Sequence, residues 1–447
     1  MQNRFKPIWL IPVFILLGVG IFFLPPIYNR AVPRLEVWFW EPLKYRFDPP
    51  DQAIYQPEQG SQVDLAVTQM MQTFEATLTP RATSTPTAGP TLTPTITPTP
   101  LPASVKLEDF RYEDQHNRWN YCGPANLSMA LNFWGWDGNR DTVAKAVKPG
   151  VQDPKLDFIQ QGRTDVNVMP YEMVDFVNDE TEFRALYRLG GNIGLTKALL
   201  AAGFPVIAEK GYYERDYAGK TAWMGHYQFV TGYDDARKEL IVQDTWNDGP
   251  NFRISYDEFM AGEAWLSFDY LFIVVYPPER EGEVLDLLGP YADARWAAQH
   301  ALGIAEDDIR NMSGINLFFA WFAKGTNHVA LQEYADAASA YDQAFAIYNS
   351  IGKDDVLRPY RMMHFQTGPY WAYFYTGRYQ DVINLANVTL TQTTSRPTLE
   401  ESIYWRGRAK YMLGNTQAAI DDYREALRLH PNWPPALQAL QDLGVQP

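Results

Sequence analysis

The chain has 447 residues, 46% of them hydrophobic, and a formal net charge of -15. That length allows two or three domains with a sizeable core, and the acidic surplus argues against nonspecific nucleic-acid binding, which needs clustered Lys and Arg. A single cysteine, Cys122, excludes an intrachain disulfide and a multi-thiolate zinc site.

No residue from Pro7 to Asn29 is charged, and Ile8–Leu24 is nearly all apolar. At about 1.5 Å per residue, Ile8–Tyr28 would span roughly 30 Å, enough for a bilayer core. Pro12 and the Pro25–Pro26 pair weaken that helix, but membrane helices tolerate proline. Arg4 and Lys6 precede the run and favour a cytoplasmic N-terminus, while Arg30 and Arg34 dilute the bias. No small-x-small cleavage site follows it. Residues 1–29 therefore read as a cytoplasmic tip and signal anchor, a single transmembrane helix with the rest of the chain extracytoplasmic. A cleaved signal is the rival reading and leaves the compartment unchanged.

Residues 30–76 read as a juxtamembrane segment, with Trp38, Phe39 and Trp40 suited to a membrane interface. Val63, Val67, Met70 and Phe74 mark one short helix within it. Residues 77–102 are rich in Pro and Thr and have too little apolar surface to fold, giving a spacer that reaches about 80 Å when extended.

The first globular unit spans 103–280. Cys122 precedes Gly123 and Pro124, and apolar residues then recur at Leu127, Ala130, Leu131 and Trp134, so a helix is expected to begin at the cysteine. Short amphipathic helices follow at 169–177 and 195–203. Runs rich in β-branched and aromatic residues, FPVIAEK, HYQFVTGYD, ELIVQD and YLFIVVYP, read as strands. Helices first and strands later point to an α+β layout with an antiparallel sheet. LGGNIG (189–194) reads as a helix-to-helix turn.

Strand signals vanish in the second unit, 285–447, where three helix pairs can be drawn. Tyr370–Trp371 and Tyr404–Trp405 lie 34 positions apart (370 to 404), and Gly377 and Gly414 each close a helix. The last unit, with Gly414, Ala418, Tyr423, Ala426 and Pro431, resembles the tetratricopeptide repeat. Such arrays present a concave surface to peptides; a plain helical bundle is the alternative.

A thiol nucleophile needs a base and a group to orient it. Of six histidines, four (His300, His328, His364 and His430) fall in the helical unit and His116 in the loop before Cys122, leaving His226 in a strand. A hairpin with its turn centred on Asp235 sets His226 directly opposite Asp244, with Cβ atoms about 4.5–5.5 Å apart. A carboxylate there fixes the imidazole tautomer and stabilises an imidazolium beside a thiolate. Asn247 and Asp248 are weaker candidates. The backbone N–H of Cys122 and a side-chain amide upstream would hold the oxyanion; Gln115 is the first choice, Asn117 and Asn120 the others. Trp119, Trp136, Trp223 and Trp246 flank these residues, as groove or as core. No metal-ligand spacing or phosphate-cradling loop occurs, so no cofactor and no metal are expected.

Gln115, the Cys122-Gly123-Pro124-Ala125 run with its Trp134-Gly135-Trp136 end, Gly225-His226, Gly232-Tyr233-Asp234 and Asp244 resemble the papain-like cysteine peptidases of family thirty-nine, the bacteriocin-leader-processing peptidases. The resemblance covers about residues 105–278. It implies a papain-like α+β fold with Cys122 as nucleophile, His226 as base, Asp244 as orienting acid and Gln115 as oxyanion donor. Gln115 stands seven residues before the cysteine, where the family's glutamine commonly stands about six before. The expectation is a membrane-anchored, extracytoplasmic cysteine peptidase acting on a peptide or protein substrate, whose repeats bind a protein partner. A catalytically inactive peptide-binding scaffold and a thiol acyltransferase are the alternatives.

Overall fold

The computed structural model describes residues 18–40, 43, 46, 55, 57, 100–118, 120–148, 167–215, 221–246, 249–351, 357–392 and 399–447. The first ten residues of the expected anchor span, Ile8–Leu17, lie outside that set, as do the expected helix at Val63–Phe74 and most of the 77–102 spacer. Among the described residues no helix is long and apolar enough to cross a membrane. The Pro25–Pro26 pair opens a helix, α1 (Pro25–Leu35), because proline in a first turn forfeits no hydrogen bond. A π-helical turn, Glu36–Trp40, follows, and its Trp38, Phe39 and Trp40 are exposed.

The first unit is built on a seven-stranded antiparallel sheet. Its strands are β1 (Ser104–Lys106), β2 (Arg184–Arg188), β3 (Val206–Arg215), β4 (Thr221–Asp234), β5 (Glu239–Gln243), β6 (Phe252–Ser255) and β7 (Phe272–Tyr276). The order is β2-β7-β3-β4-β5-β6, and β1 pairs with the end of β4 that β3 leaves free. The long central strands contain β-branched and aromatic residues, which suit a pleated, buried surface. Among the described residues, four longer helices accompany them: α2 (Cys122–Phe133), α3 (Arg140–Val147), α4 (Pro170–Glu180) and α5 (Ile193–Ala201).

Three expectations change. Strands do not wait for the helices: β1 precedes all four, and β2 lies between α4 and α5. Both are short and carry charged residues, which hides them from a periodicity reading. Because β2 ends at Arg188, LGGNIG joins a strand to a helix, with the Gly190 N–H donating to Asp269 O. The β4–β5 register also differs. Phe229 pairs with Gln243 and Val230 with Val242, then a bulge at Thr231 shifts the rest to Gly232↔Ile241. Asp244 lies one residue beyond the last pair and reaches His226 across a diagonal, not directly opposite.

Gly232 is where β1 crosses β4, and a Cβ there would run into the Val105 carbonyl. Backbone cannot yield as a side-chain tip can. Gly232→Ala is therefore expected to cost about 1–3 kcal/mol, read as a lowered melting temperature; an unchanged melt would show that β1 is dispensable.

Among the described residues the second unit shows helices and no strand; the longer ones are α6 (Glu281–Leu288), α7 (Ala294–Asn311), α8 (Gly314–Ala330), α9 (Tyr334–Ser350), α10 (Gly368–Tyr375), α11 (Tyr379–Gln392), α12 (Glu400–Met412), α13 (Thr416–Leu429) and α14 (Pro434–Asp442), and a short turn of helix, Met362–Phe365, lies between α9 and α10. The three expected pairs are α8–α9, α10–α11 and α12–α13. Gly377 and Gly414 adopt φ values of 76° and 83°, which end α10 and α12. One hydrophobic cluster runs from Leu127 and Phe229 in the sheet unit to Phe319, Tyr341 and Tyr373 in the helices. Trp223 of β4 is the joint, stacked on Phe268 and tilted against Phe319 of α8.

Candidate active site

Cys122 is the first residue of α2, with Tyr121 as its N-cap. The open end of the helix turns unpaired N–H groups and the positive dipole end toward the sulfur. Asn126, one turn along, donates through Nδ2 to the Tyr227 carbonyl at 2.8 Å and so fastens the helix start to β4. That places Cys122 close enough to His226 for each to shift the other's titration.

His226 Nε2 lies 3.2 Å from Asp244 Oδ2, which leaves Nδ1 for the sulfur. Asp244 is itself held: Gln228 Nε2 donates to Oδ2 at 2.6 Å, and the Trp246 backbone N–H donates to Oδ1 at 2.8 Å. The Tyr212 ring meets the imidazole edge-on at 5.5 Å. Cys122, His226 and Asp244 are 8%, 4% and 4% exposed, so the charges face little water.

Burial pushes the Cys122 thiol up, yet the hydrogen bond and charge of His226, a backbone bond from Tyr227 and the Lys148 ammonium together bring it below its ordinary value. Burial likewise opposes charge on His226, but Asp244 and the thiolate raise it to about 10. Asp244 is held well below the usual carboxylate range: burial raises it, and the His226 charge and hydrogen bonds from His226, Gln228 and Trp246 outweigh that. All three shifts run in the direction that favours charge on sulfur, imidazole and carboxylate.

Gln115 is buried and runs beside the strand end that carries Asp244. Its N–H donates to Thr245 O at 2.9 Å, and the Thr245 hydroxyl faces its Oε1 at 3.5 Å. Of the other amides considered, Asn120 has φ 52°, donates to Asn167 Oδ1 at 3.3 Å and accepts from Lys148 Nζ at 2.9 Å; Asn117 has φ 60°. Asn247 and Asp248 lie outside the described residues, as does Trp119. Trp223 is core, whereas Trp246 is half-buried and stacks on His116, itself paired with Asp114.

Two participants were missed from the sequence. Gln228 sits two residues beyond His226 on the same strand face, a signal the period of two could have yielded. Lys148 arrives from the end of α3 and is fully buried, with its ammonium 5.3 Å from the Tyr121 ring centre. Only the tertiary fold brings it to the cysteine.

Residues 107–271 match the family model described as the Peptidase_C39 like family. The chain carries a C39-like peptidase domain. Residues 400–433, covering α12 and α13, match the Tetratricopeptide repeat model. Two solved structures are similar to part of the chain. One is titled a putative C39-like peptidase from Bacillus anthracis, 16% identical with a TM-score of 0.31, covering 38% of this chain and 96% of that one. The other is xylellain, a cysteine protease from Xylella fastidiosa, 17% identical with a TM-score of 0.27, covering 40% and 87%. No curated protein matches the chain.

Where the C39-like domain meets the repeats, Glu172 of α4 and Glu400 of α12 gather with His430, their ligand atoms within 4.8 Å of one another. His430 Nδ1 is 3.3 Å from Glu400 Oε1 and 3.9 Å from Glu172 Oε1. Burial, then repulsion from Glu400, pushes Glu172 well up, and burial lowers His430 to about 4, so a retained proton meets the charge problem. A group whose folded pKa is raised contributes stability that is complete below about pH 4.3 and is lost as pH rises through the folded value. Glu172→Gln is accordingly expected to raise the melting temperature at pH 8 and leave it nearly unchanged at pH 4. Thermal melts at the two pH values check this, and a loss of stability at pH 8 would contradict it.

Proposed function

We propose that the C39-like domain hydrolyses peptide bonds through Cys122, His226 and Asp244, with Gln115 assisting. The observation that carries this is the buried His226–Asp244 pair, Nε2 3.2 Å from Oδ2, together with a Cys122 thiol that the imidazole draws downward. The thiolate attacks the peptide carbonyl and forms a C–S bond. The backbone N–H at the start of α2 and the Gln115 amide stabilise the oxyanion. His226 delivers its proton to the departing amine as the C–N bond breaks, leaving a thioester. Neutral His226 then takes a proton from water, hydroxide adds to the thioester, and the acid is released with the thiolate restored. Asp244 holds the ring orientation through both steps, and Gln228 holds Asp244.

The apolar run Ile8–Leu24 supports a membrane anchor that would leave the domain and repeats outside the cytoplasm. The tetratricopeptide repeat supports recruitment of a protein partner. The burial of Cys122 favours a second reading, a non-cleaving peptide scaffold of the same fold.

A peptide library incubated with the full chain and with Cys122→Ala separates the two. Thiol-dependent cleavage abolished in Cys122→Ala, with a thiol-directed acyl probe attached at Cys122, is the expected result. No turnover and no labelling, in a protein whose fold is intact, would leave the scaffold.

A further inference from the structure

We infer that the helical unit carries a tyrosine-anchored peptide-binding site, filled in cis by the chain's own Tyr55. Tyr55 lies ahead of the Pro/Thr-rich spacer, yet it is 4% exposed and sits among helices nearly 300 residues later in the chain. Its ring meets Phe345 of α9 edge-on at 4.8 Å and Tyr373 of α10 at 6.1 Å. Phe318, Tyr348, Met362, Met363 and Leu385 line, with Tyr55 itself, a small cavity beside it. Polar contacts read both ends of the residue. Its hydroxyl donates to the Asp381 carbonyl at 3.3 Å, and Asn349 Nδ2 donates to its backbone carbonyl at 2.6 Å. A ring in an aromatic pocket with a side-chain amide on the main chain is how a groove takes an extended peptide. Burial, then the Asp381 charge, keeps the phenol protonated and able to donate.

The site reaches the C39-like domain through residues 357–366, which join α9 to α10. Met362 and Met363 of this segment line the same small cavity that Tyr55 lines. Other residues of the same segment hold the catalytic unit. The Leu357 carbonyl accepts from Tyr213 Oη at 2.7 Å, Arg361 Nη1 donates to Met224 Sδ at 2.8 Å, and the His364 carbonyl accepts from Asn167 at 2.8 Å. Phe365 packs on Gly225, the neighbour of His226. Filling the pocket therefore braces a segment that touches the catalytic strand. A tethered occupant acts at an effective concentration on the order of millimolar, so a free peptide competes poorly until Tyr55 is removed.

The test uses the full chain and a fluorescent peptide of residues 51–60, DQAIYQPEQG. Anisotropy is expected to show at least about tenfold tighter binding to Tyr55→Ala than to wild type. The same peptide with Phe for Tyr should bind Tyr55→Ala roughly fivefold more weakly, from the lost hydroxyl bond. Amide exchange over 357–366 should quicken in Tyr55→Ala and slow again on adding the peptide. Equal binding to both proteins, or binding to neither, overturns the proposal. A second arm needs no change at Tyr55: a protease site inserted after Thr91 is cleaved, and the pieces are run on size exclusion in detergent. The N-terminal piece should stay with the body until excess peptide displaces it, and separation without peptide also overturns the proposal.

Discussion

His226→Ala is expected to cut peptide turnover by at least about 10³-fold and to raise the alkylation midpoint of Cys122. The shift follows from opposed influences on one sulfur. Burial alone raises the thiol, and the His226 hydrogen bond and charge head the influences that bring it down. Without the imidazole, the Tyr227 backbone bond and Lys148 remain, and burial regains the upper hand. The fold should survive, because Asp244 keeps its bonds from Gln228 and Trp246. Alkylation rates by iodoacetamide across pH 5–10 on both proteins measure the midpoints. Coincident curves would remove the activated pair and the hydrolytic reading with it. In the wild type, activity should hold on the alkaline side and fall only as pH nears the raised His226 value of about 10. The folded pKa of His226 lies above its unfolded value. Its contribution to stability is therefore complete below about pH 6.5 and is lost as pH rises through about 10.

The place of Cys122 was legible because one cysteine stood where a helix had to begin. The meeting of His226 and Asp244 was legible by a route that was wrong in detail. The expected hairpin placed Asp244 directly opposite His226; the observed one ends a residue short of Asp244, and the carboxylate reaches diagonally. The pair survived because the observed pairing there differs from the expected one by an even number of positions, which preserves the strand face. The bulge at Thr231 was not legible, since side chains from elsewhere hold it: Gln243 Nε2 donates to Thr231 Oγ1 at 2.8 Å, and the Asn251 N–H donates to Gln243 Oε1 at 2.9 Å. Lys148 and Tyr55 were invisible for a related reason. Neither belongs to a periodic pattern, and each takes its meaning from residues distant in sequence. The final helix pair was the easiest repeat to read because Gly414, Tyr423 and Pro431 punctuate it.

Arg378→Ala is expected to be among the most destabilising single changes in the helical unit. Arg378 is 2% exposed and closes α10 against α11. Its Nη1 and Nη2 donate to Asp342 at 2.8 and 3.0 Å, and its Nε donates to Asp381 at 2.8 Å. The guanidinium also stacks 4.1 Å from the Tyr373 ring centre, and the Tyr373 hydroxyl completes Asp342 at 2.8 Å. Burial already pushes Asp342 upward, and the Arg378 hydrogen bonds and charge counter it. Alanine would leave two carboxylates facing each other out of water, at a cost of about 3–5 kcal/mol. Arg310, in an exposed pair with Asp307, is the control, and its alanine variant should melt like the wild type. The charges, more than the lost packing, should carry the loss. Arg378→Met combined with Asp342→Asn and Asp381→Asn should therefore recover most of the stability. A triple variant as unstable as Arg378→Ala would mean that the stacking on Tyr373 holds the helices together, and that the ion network contributes little.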